Sequence, residues 1–184
     1  QQIKELLKLK VIRRSLNRPS KHRHRSAVFI IIKHSELKRG KARIVYNYKR
    51  LNDNTYEDSY KLPNKDELIN KIQESKYFSK FDCKSGFWQI RLAEESIEWT
   101  TFTCPEGHFE WLVMPFGLKN APSIFQRKMD QIFKKYDKFC SVYVDDILVH
   151  SKNRNEHRKH LEIVLQEFIN NEIVISKNKI ALEK

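Results

Sequence analysis

The chain has 184 residues, 40% of them hydrophobic, enough for one domain, or one domain with a sub-domain, around a real core. No apolar run approaches the ~18 residues of a membrane span, no signal-peptide pattern is visible and none is expected, and the three scattered cysteines, Cys83, Cys104 and Cys140, suggest neither a disulfide framework nor a zinc ribbon. The net charge of +13 sits in the first quarter: residues 1–50 hold 16 Lys and Arg against two acids and residues 51–184 hold 20 against 21, so a polyanion such as nucleic acid is the expected partner.

The first methionine is Met114, so the chain is expected to be a piece of a longer polypeptide. Ile3, Leu6 and Leu7 have the spacing of a short amphipathic helix over residues 1–10. A basic loop follows over 13–25, with Arg13, Arg14, Arg18, Lys21, Arg23 and Arg25. Residues 27–33 and 43–48 are apolar and β-branched; with a turn at 36–41 they predict a basic β-hairpin. Residues 52–60 are polar and read as loop. Pro63 and Asn64 open a helix that runs to about Glu74, with Glu67 placed as in a capping box. Residues 77–81 form a strand ending at Asp82, 83–86 a tight connection, and 88–92 a further extended piece. Residues 99–104 and 108–113 flank Pro105-Glu106-Gly107 as a hairpin. Pro122 suits the first turn of a helix that runs to about Tyr136. Apolar runs at 139–144 and 147–149 meet at Asp145-Asp146. An amphipathic helix over 155–170 carries Leu161, Val164, Leu165 and Phe168, and 173–175 begin a last strand. The order from Tyr77 onward is that of an α+β fold, antiparallel strands backed by helices.

Adjacent carboxylates repel each other and are costly to bury unless paired or bound to metal. Asp145-Asp146 therefore reads in two ways. It is a hairpin turn, since Asp tolerates turn geometry, or it is part of a metal site. Asp82 also ends an apolar strand, and if strand 77–81 lies beside strand 139–144, Asp82 comes to Asp145. Mg²⁺ prefers such oxygen ligands and takes one or two carboxylates plus substrate phosphates. Other candidates have plainer readings. His157 and His160 lack a third metal ligand and read as a solvated helix face. Asp130 and Lys134 have the spacing of a surface ion pair, and Trp88, Trp99 and Trp111 read as core or sheet packing.

YVDD at 143–146, FDCKSGFWQI at 81–90 and MPFGLKNAPSIFQ at 114–126 together resemble reverse transcriptases, over roughly residues 13–184. With TFTCPEGHFEW at 101–111 and KFCSVYVDDILVHS at 138–151, the wording is most similar to plant pararetroviruses, the caulimovirids, and next to Ty3-type retrotransposons. The resemblance implies an α+β fingers-and-palm fold with an antiparallel, ferredoxin-like palm sheet backed by helices. Residues 1–76 would be mainly fingers and 77–184 mainly palm, with a fingers segment inserted near 85–120. No thumb is expected within the chain.

The resemblance also implies roles. Asp82 and Asp145 match metal ligands, Asp146 the third acid, and Cys83 a ligand through its backbone carbonyl. The cofactor would be two Mg²⁺ ions, with Mn²⁺ as substitute. Lys84, Ser85, Gly86 and Phe87 match the turn that holds the incoming deoxynucleoside triphosphate (dNTP), with the Phe87 ring crowding the sugar 2′ carbon. Phe116 and Gly117 match the loop under the nascent base pair, although retroviral enzymes carry Gln at the position of Phe116. Arg43 and, more loosely, Lys33 match cations on the triphosphate. Tyr143 and Gln126 are expected at the primer and template, and Lys177 or Lys179 as proton donor to pyrophosphate. The implied partners are an RNA or DNA template with a DNA primer, dNTPs, and the thumb, ribonuclease H and aspartic protease of a parent polyprotein. The implied location is the host cytoplasm or the virion of a plant virus, off the membrane and not secreted. The alternatives are a nucleic-acid-binding module whose carboxylates are structural, and another palm-type metal enzyme.

Overall fold

The computed structural model describes residues 2–15, 25–31 and 43–182. The strands are β1 (Ile12–Arg14), β2 (Ser26–Ile31), β3 (Arg43–Tyr46), β4 (Tyr77–Asp82), β5 (Phe102–Cys104), β6 (Gly107–Trp111), β7 (Cys140–Tyr143) and β8 (Asp146–Ser151). The described α-helices are α1 (Gln2–Lys8), α2 (Lys49–Asp53), α3 (Lys65–Ile72), α4 (Glu94–Ile97), α5 (Ala121–Phe133) and α6 (Arg154–Asn170). They form two compact units, Gln1–Glu57 with Ile90–Ala121, and Asp58–Gln89 with Pro122–Lys184.

The first unit holds a sheet in the order β1-β6-β5-β2-β3. Neighbours are antiparallel except β2 and β5, which run parallel. Its core is aromatic: Tyr48, Phe102, Phe109 and Trp111 are buried, and the Tyr46 ring meets Phe102 at 4.8 Å and Trp111 at 5.3 Å, both edge-on. Burying each such side chain contributes about 1.5–3 kcal/mol. The basic hairpin forms as β2–β3, with Arg43 opposite Ile31; its turn, and Lys33 with it, lies outside the described residues.

Two stretches depart from the expected pattern. Residues 49–53 are helical: the Asn47 side chain accepts from the Lys49 N–H (3.1 Å) in an Asx-type turn ahead of the helix, and Lys49 pairs with Asp53 one turn on (2.8 Å). Trp99 lies in a 3₁₀ turn, Glu98–Thr100, ahead of β5. The Thr100 and Thr101 hydroxyls donate to the Ile97 and Glu98 carbonyls (2.7 and 2.6 Å), a local alternative to the sheet ladder.

The second unit holds the antiparallel sheet β4-β8-β7. Here the expected strand order is corrected: β4 lies beside β8, not β7, in the register Phe81↔Ile147 and Asp82↔Asp146. Helix α6 packs on β8 and β4. Phe81, Phe133, Ile147, Val149, Val164 and Phe168 form its core, with Phe168 edge-on to Phe81 (5.3 Å) and Phe133 (5.9 Å). Helix α3 starts at its Asn64 cap, whose side chain accepts from the Asp66 N–H. Residues 86–89 coil into a 3₁₀ turn that takes in the start of the extended piece expected over 88–92. The last strand is reduced to single bridges, Cys83↔Ile175 and Lys80↔Ala181. No helix of the described residues is long and apolar enough to cross a membrane.

The helix-face histidines are not solvated. His157 is buried between Ser79 (Nε2 to Oγ, 2.7 Å) and Ser151 (Nδ1 to Oγ, 2.9 Å). His160 reaches the same Ser151 hydroxyl (2.8 Å) and stacks on Phe139 at 3.9 Å. His150 is buried between Ser75 (3.0 Å) and Ser141 (3.5 Å). Burial lowers the pKa of both His150 and His160; for His150 the charges of His160, Lys71 and His157 add to it. The unfolded chain therefore binds protons that the folded chain refuses once pH falls below about 6.5. Stability conferred by these rings is present above that pH and is lost as pH falls through it. Urea midpoints are expected to drop between about pH 7.5 and about pH 5.5, and His160→Gln is expected to make the drop shallower.

Candidate active site

The register of β4 on β8 sets the site. Asp82 ends β4 directly opposite Asp146, which opens β8, and Val144-Asp145 form the two-residue loop between β7 and β8. All three acids therefore lie at one end of one sheet. The Cys83 N–H donates to the Asp145 carbonyl (2.8 Å), which ties the end of β4 to that loop. Val144 has φ +51°, a left-handed conformation that two-residue hairpin loops usually give to glycine. In a β-branched residue it costs about 1–2 kcal/mol, and backbone strain of this kind concentrates at functional sites.

The three carboxylates stand in different environments. Asp82 is neutralised by Lys179, whose ammonium lies 2.9 and 3.1 Å from its two oxygens, and accepts from the Ser176 hydroxyl (3.0 Å). That contact holds the Lys179 ammonium above the ordinary lysine range. Asp146 pairs with Lys80 (2.9 Å), both half exposed, a contact of little energetic weight. Among the described residues no cation pairs with Asp145, and its Oδ1 is buried without a hydrogen-bond partner. Burial first, then the charges of Asp82 and Asp146, raise its pKa. Burial, then the charges of Asp145, Asp82 and Asp146, push the Cys83 thiol up to about 12, so it stays protonated and leaves its backbone carbonyl as the group to offer a cation.

Among the described residues no three His, Cys, Asp or Glu close on one point as a ready-made metal cage. The donor set nonetheless fits a hard divalent cation. It is all oxygen, it includes an orphaned buried carboxylate oxygen, and an internal ammonium already serves Asp82 as a cation. Space beside that orphan is kept by Gly86: a Cβ built there would stand 2.1 Å from Asp145 Oδ1 and 2.9 Å from Phe125 Cζ.

The other expected residues fall as follows. Ser85 takes a positive φ (+50°) and leads into the 3₁₀ turn at Gly86, while the Lys84 amide is already engaged by the Val174 carbonyl (2.8 Å). Phe87 is 9% exposed, edge-on to Phe125 at 5.7 Å. Tyr143 lies under the Lys65 ammonium, 5.4 Å from its ring centre. In the first unit Phe116 is 45% exposed beside Gly117, whose φ of +98° suits glycine. Asn52 holds that loop by donating to the Gly117 carbonyl (2.8 Å) and accepting from the Lys119 N–H (2.9 Å).

Gln126 departs from its expected place at primer or template. It is 0% exposed, with its amide bonded inside the second unit. Asp130 departs too: it accepts from Gln126 (2.9 Å) and from the Tyr60 hydroxyl (2.5 Å), and so is not an ordinary surface pair. The Gln126–Asp130 contact has the i,i+4 spacing of a helix pair and was legible in the sequence, whereas nothing local announces the Tyr60 contact or the bonds of Gln126 to residues 142 and 144. Lys80 was legible in principle, two residues before Asp82 and hence on the same face of β4.

Comparison with known proteins shows the family and the fold. Residues 31–184 match the family model "Reverse transcriptase (RNA-dependent DNA polymerase)". The chain is 54% identical over 183 residues to the enzymatic polyprotein of Cauliflower mosaic virus (strain Strasbourg), covering 100% of this chain and 26% of that protein. It is 49% identical to polyprotein P3 of Commelina yellow mottle virus, covering 98% and 10%. The chain thus spans about a quarter or less of these relatives. Among solved structures it is similar to a foamy viral protease-reverse transcriptase in complex with dsDNA, with TM-score 0.85, 26% identity and coverage of 99% and 36%. The same kind of enzyme in complex with an RNA/DNA hybrid gives TM-score 0.82, 25% identity and coverage of 98% and 23%. With an α+β fold of the fingers-and-palm kind and the motif order of that family, the chain belongs to the reverse transcriptase family, with the caulimovirid polyproteins among its relatives.

Proposed function

We propose that this chain is the fingers and palm of a polymerase that extends a DNA primer on RNA or DNA templates. The first unit would serve as fingers and the second as palm, residues 58–76 included. The observation that carries the reading is the meeting of Asp82, Asp145 and Asp146 at one sheet end, with one Asp145 oxygen buried and unpartnered. Asp82, Asp145, Asp146 and the Cys83 carbonyl would hold two Mg²⁺ ions, with Mn²⁺ as substitute. Ions held there would supply Lewis acidity, lowering the pKa of the primer 3′-OH and neutralising charge on the departing pyrophosphate. The carboxylates contribute position rather than covalent chemistry. Of the two lysines considered as proton donors, Lys179 is the one held at the site, on Asp82. Lys33, Arg43 and the 84–87 turn would hold the triphosphate, with Phe116 and Gly117 under the new base pair and Tyr143 at the primer end. Thumb, ribonuclease H and aspartic protease segments would be partners in the parent polyprotein; the polyprotein relatives and the nucleic-acid complexes of the foamy viral enzymes support this.

The test is primer extension with Mg²⁺ and dNTPs on matched RNA and DNA templates, in this chain and in a form extended toward the thumb. Metal-dependent extension on both templates is expected. Salt-sensitive nucleic-acid binding without synthesis in either form would return the acids to a structural role.

Phe87, buried edge-on to Phe125, would act, as the family resemblance implies, as a steric filter against the 2′-OH. Phe87→Val is expected to raise ribonucleotide relative to deoxynucleotide incorporation about 10- to 100-fold, by relief of one close contact. An unchanged ratio in an active variant would remove Phe87 from that role.

A further inference from the structure

The strained tip of the β7–β8 hairpin is held by one buried side chain. The Val144 N–H donates to Gln126 Oε1 (2.7 Å). Gln126 Nε2 donates to the Val142 carbonyl (3.2 Å) and to Asp130 Oδ1 (2.9 Å). One amide thus grips the strand two residues below the loop and the first loop residue together. Its orientation is set, because Asp130 accepts only and so draws the NH₂ end toward itself and leaves the oxygen for Val144. Asp130 is in turn fixed by the Tyr60 hydroxyl (2.5 Å). On the far side of the loop the Cys83 N–H holds the Asp145 carbonyl. The backbone is therefore gripped immediately before Asp145 and at Asp145 itself, where φ at Val144 is unfavourable for valine.

We infer that Gln126, fixed by Asp130 and Tyr60, is a positioning residue for Asp145. It touches neither nucleic acid nor nucleotide and acts by holding Val144 in the left-handed conformation that aims the orphaned carboxylate oxygen. The role in metal binding rests on the polymerase reading; the clamp itself does not.

Three variants test it: Gln126→Leu, which removes both polar ends; Gln126→Glu, which keeps an acceptor for Val144 but sets a carboxylate against Asp130 and the Val142 carbonyl; and Gln126→Glu with Asp130→Asn, which reverses the donor between the two side chains and leaves only the Val142 carbonyl without its donor. Amide hydrogen exchange reads the clamp. The Val144 N–H is expected to be protected in the wild type and the double variant and to exchange fast in Gln126→Leu, while the Ile147 and Val149 amides stay protected. Mn²⁺ titration followed by electron paramagnetic resonance reads the aim of Asp145. Affinity is expected to fall about 10- to 100-fold in Gln126→Glu and to recover part of that loss in the double variant, where the bond between the two side chains returns and the one to the Val142 carbonyl does not. In primer extension kcat is expected to fall with KM for dNTP little changed, and primer–template affinity to stay constant.

A Val144 amide equally protected in the wild type and Gln126→Leu overturns the clamp. A primer–template affinity that falls while Mn²⁺ affinity holds also overturns it and returns Gln126 to the nucleic-acid surface. A wild type that makes no DNA, with Val144 protection lost only in Gln126→Leu, overturns the polymerase reading and supports the clamp.

Discussion

Asp145→Asn is expected to abolish primer extension, by about a thousandfold or more, and at the same time to raise stability. The first effect follows from the proposed chemistry. Metal at such a site contributes several kcal/mol of charge stabilisation in the transition state, and each ~1.4 kcal/mol is tenfold in rate. An amide retains the shape of the carboxylate but not its charge. The second effect follows from the environment. Asp145 carries a buried, unpartnered oxygen, and burial with Asp82 and Asp146 raises its pKa. For an acid whose folded pKa lies above its unfolded value, ionisation opposes folding, so the native state bears that cost at neutral pH. Asparagine removes it. Urea midpoints at about pH 7.5 should be higher for the variant than for the wild type. Adding Mg²⁺ should raise the wild-type midpoint and leave that of the variant nearly still, since a ligand stabilises only the state that binds it. A variant that is inactive and also less stable would mean that Asp145 holds the hairpin together, and would end the metal reading.

Gly86→Ala is expected to cost both activity and stability. The added methyl would stand 2.1 Å from Asp145 Oδ1 and 2.9 Å from Phe125 Cζ. The backbone at Gly86 does not lie in the left-handed region, so the effect is one of space and not of conformation. Either the carboxylate or the 86–89 turn must shift. A displacement near 1 Å at a reacting centre costs about a hundredfold, and overpacking costs about 1–3 kcal/mol. Primer extension and urea unfolding on the same preparation check both. Loss of stability sets this variant apart from Asp145→Asn, although both lose synthesis. Combined with Asp145→Asn, it should remove little further activity, because both substitutions act on one carboxylate. Full activity in Gly86→Ala would show that Asp145 works from another position.

Much of the architecture was legible residue by residue. Asn64 announced the start of α3, Pro122 stood in the first turn of α5, and Pro105-Glu106-Gly107 marked a hairpin whose Gly107 takes φ +125°. The site acids were legible because charge interrupts apolar strands at Asp82 and Asp145-Asp146. Two local readings failed where side chains bond to nearby backbone: Asn47 closes a turn onto Lys49 ahead of α2, and Thr100 and Thr101 coil the segment around Trp99. Another failed at His157, where two serines from different strands make burial affordable.

The sequence by itself determined the class of fold, the three acids and the family, because periodicity, turn chemistry and motif order are properties of neighbouring residues. Only the tertiary structure decided that β4 pairs with β8, that Lys179 and Ser176 meet Asp82, and that Gln126 grips Val144. Those partners are far apart in the chain, and a buried polar group has no local rule for which distant donor will satisfy it. That choice is made when helices and strands pack, and it left one oxygen of Asp145 without a partner.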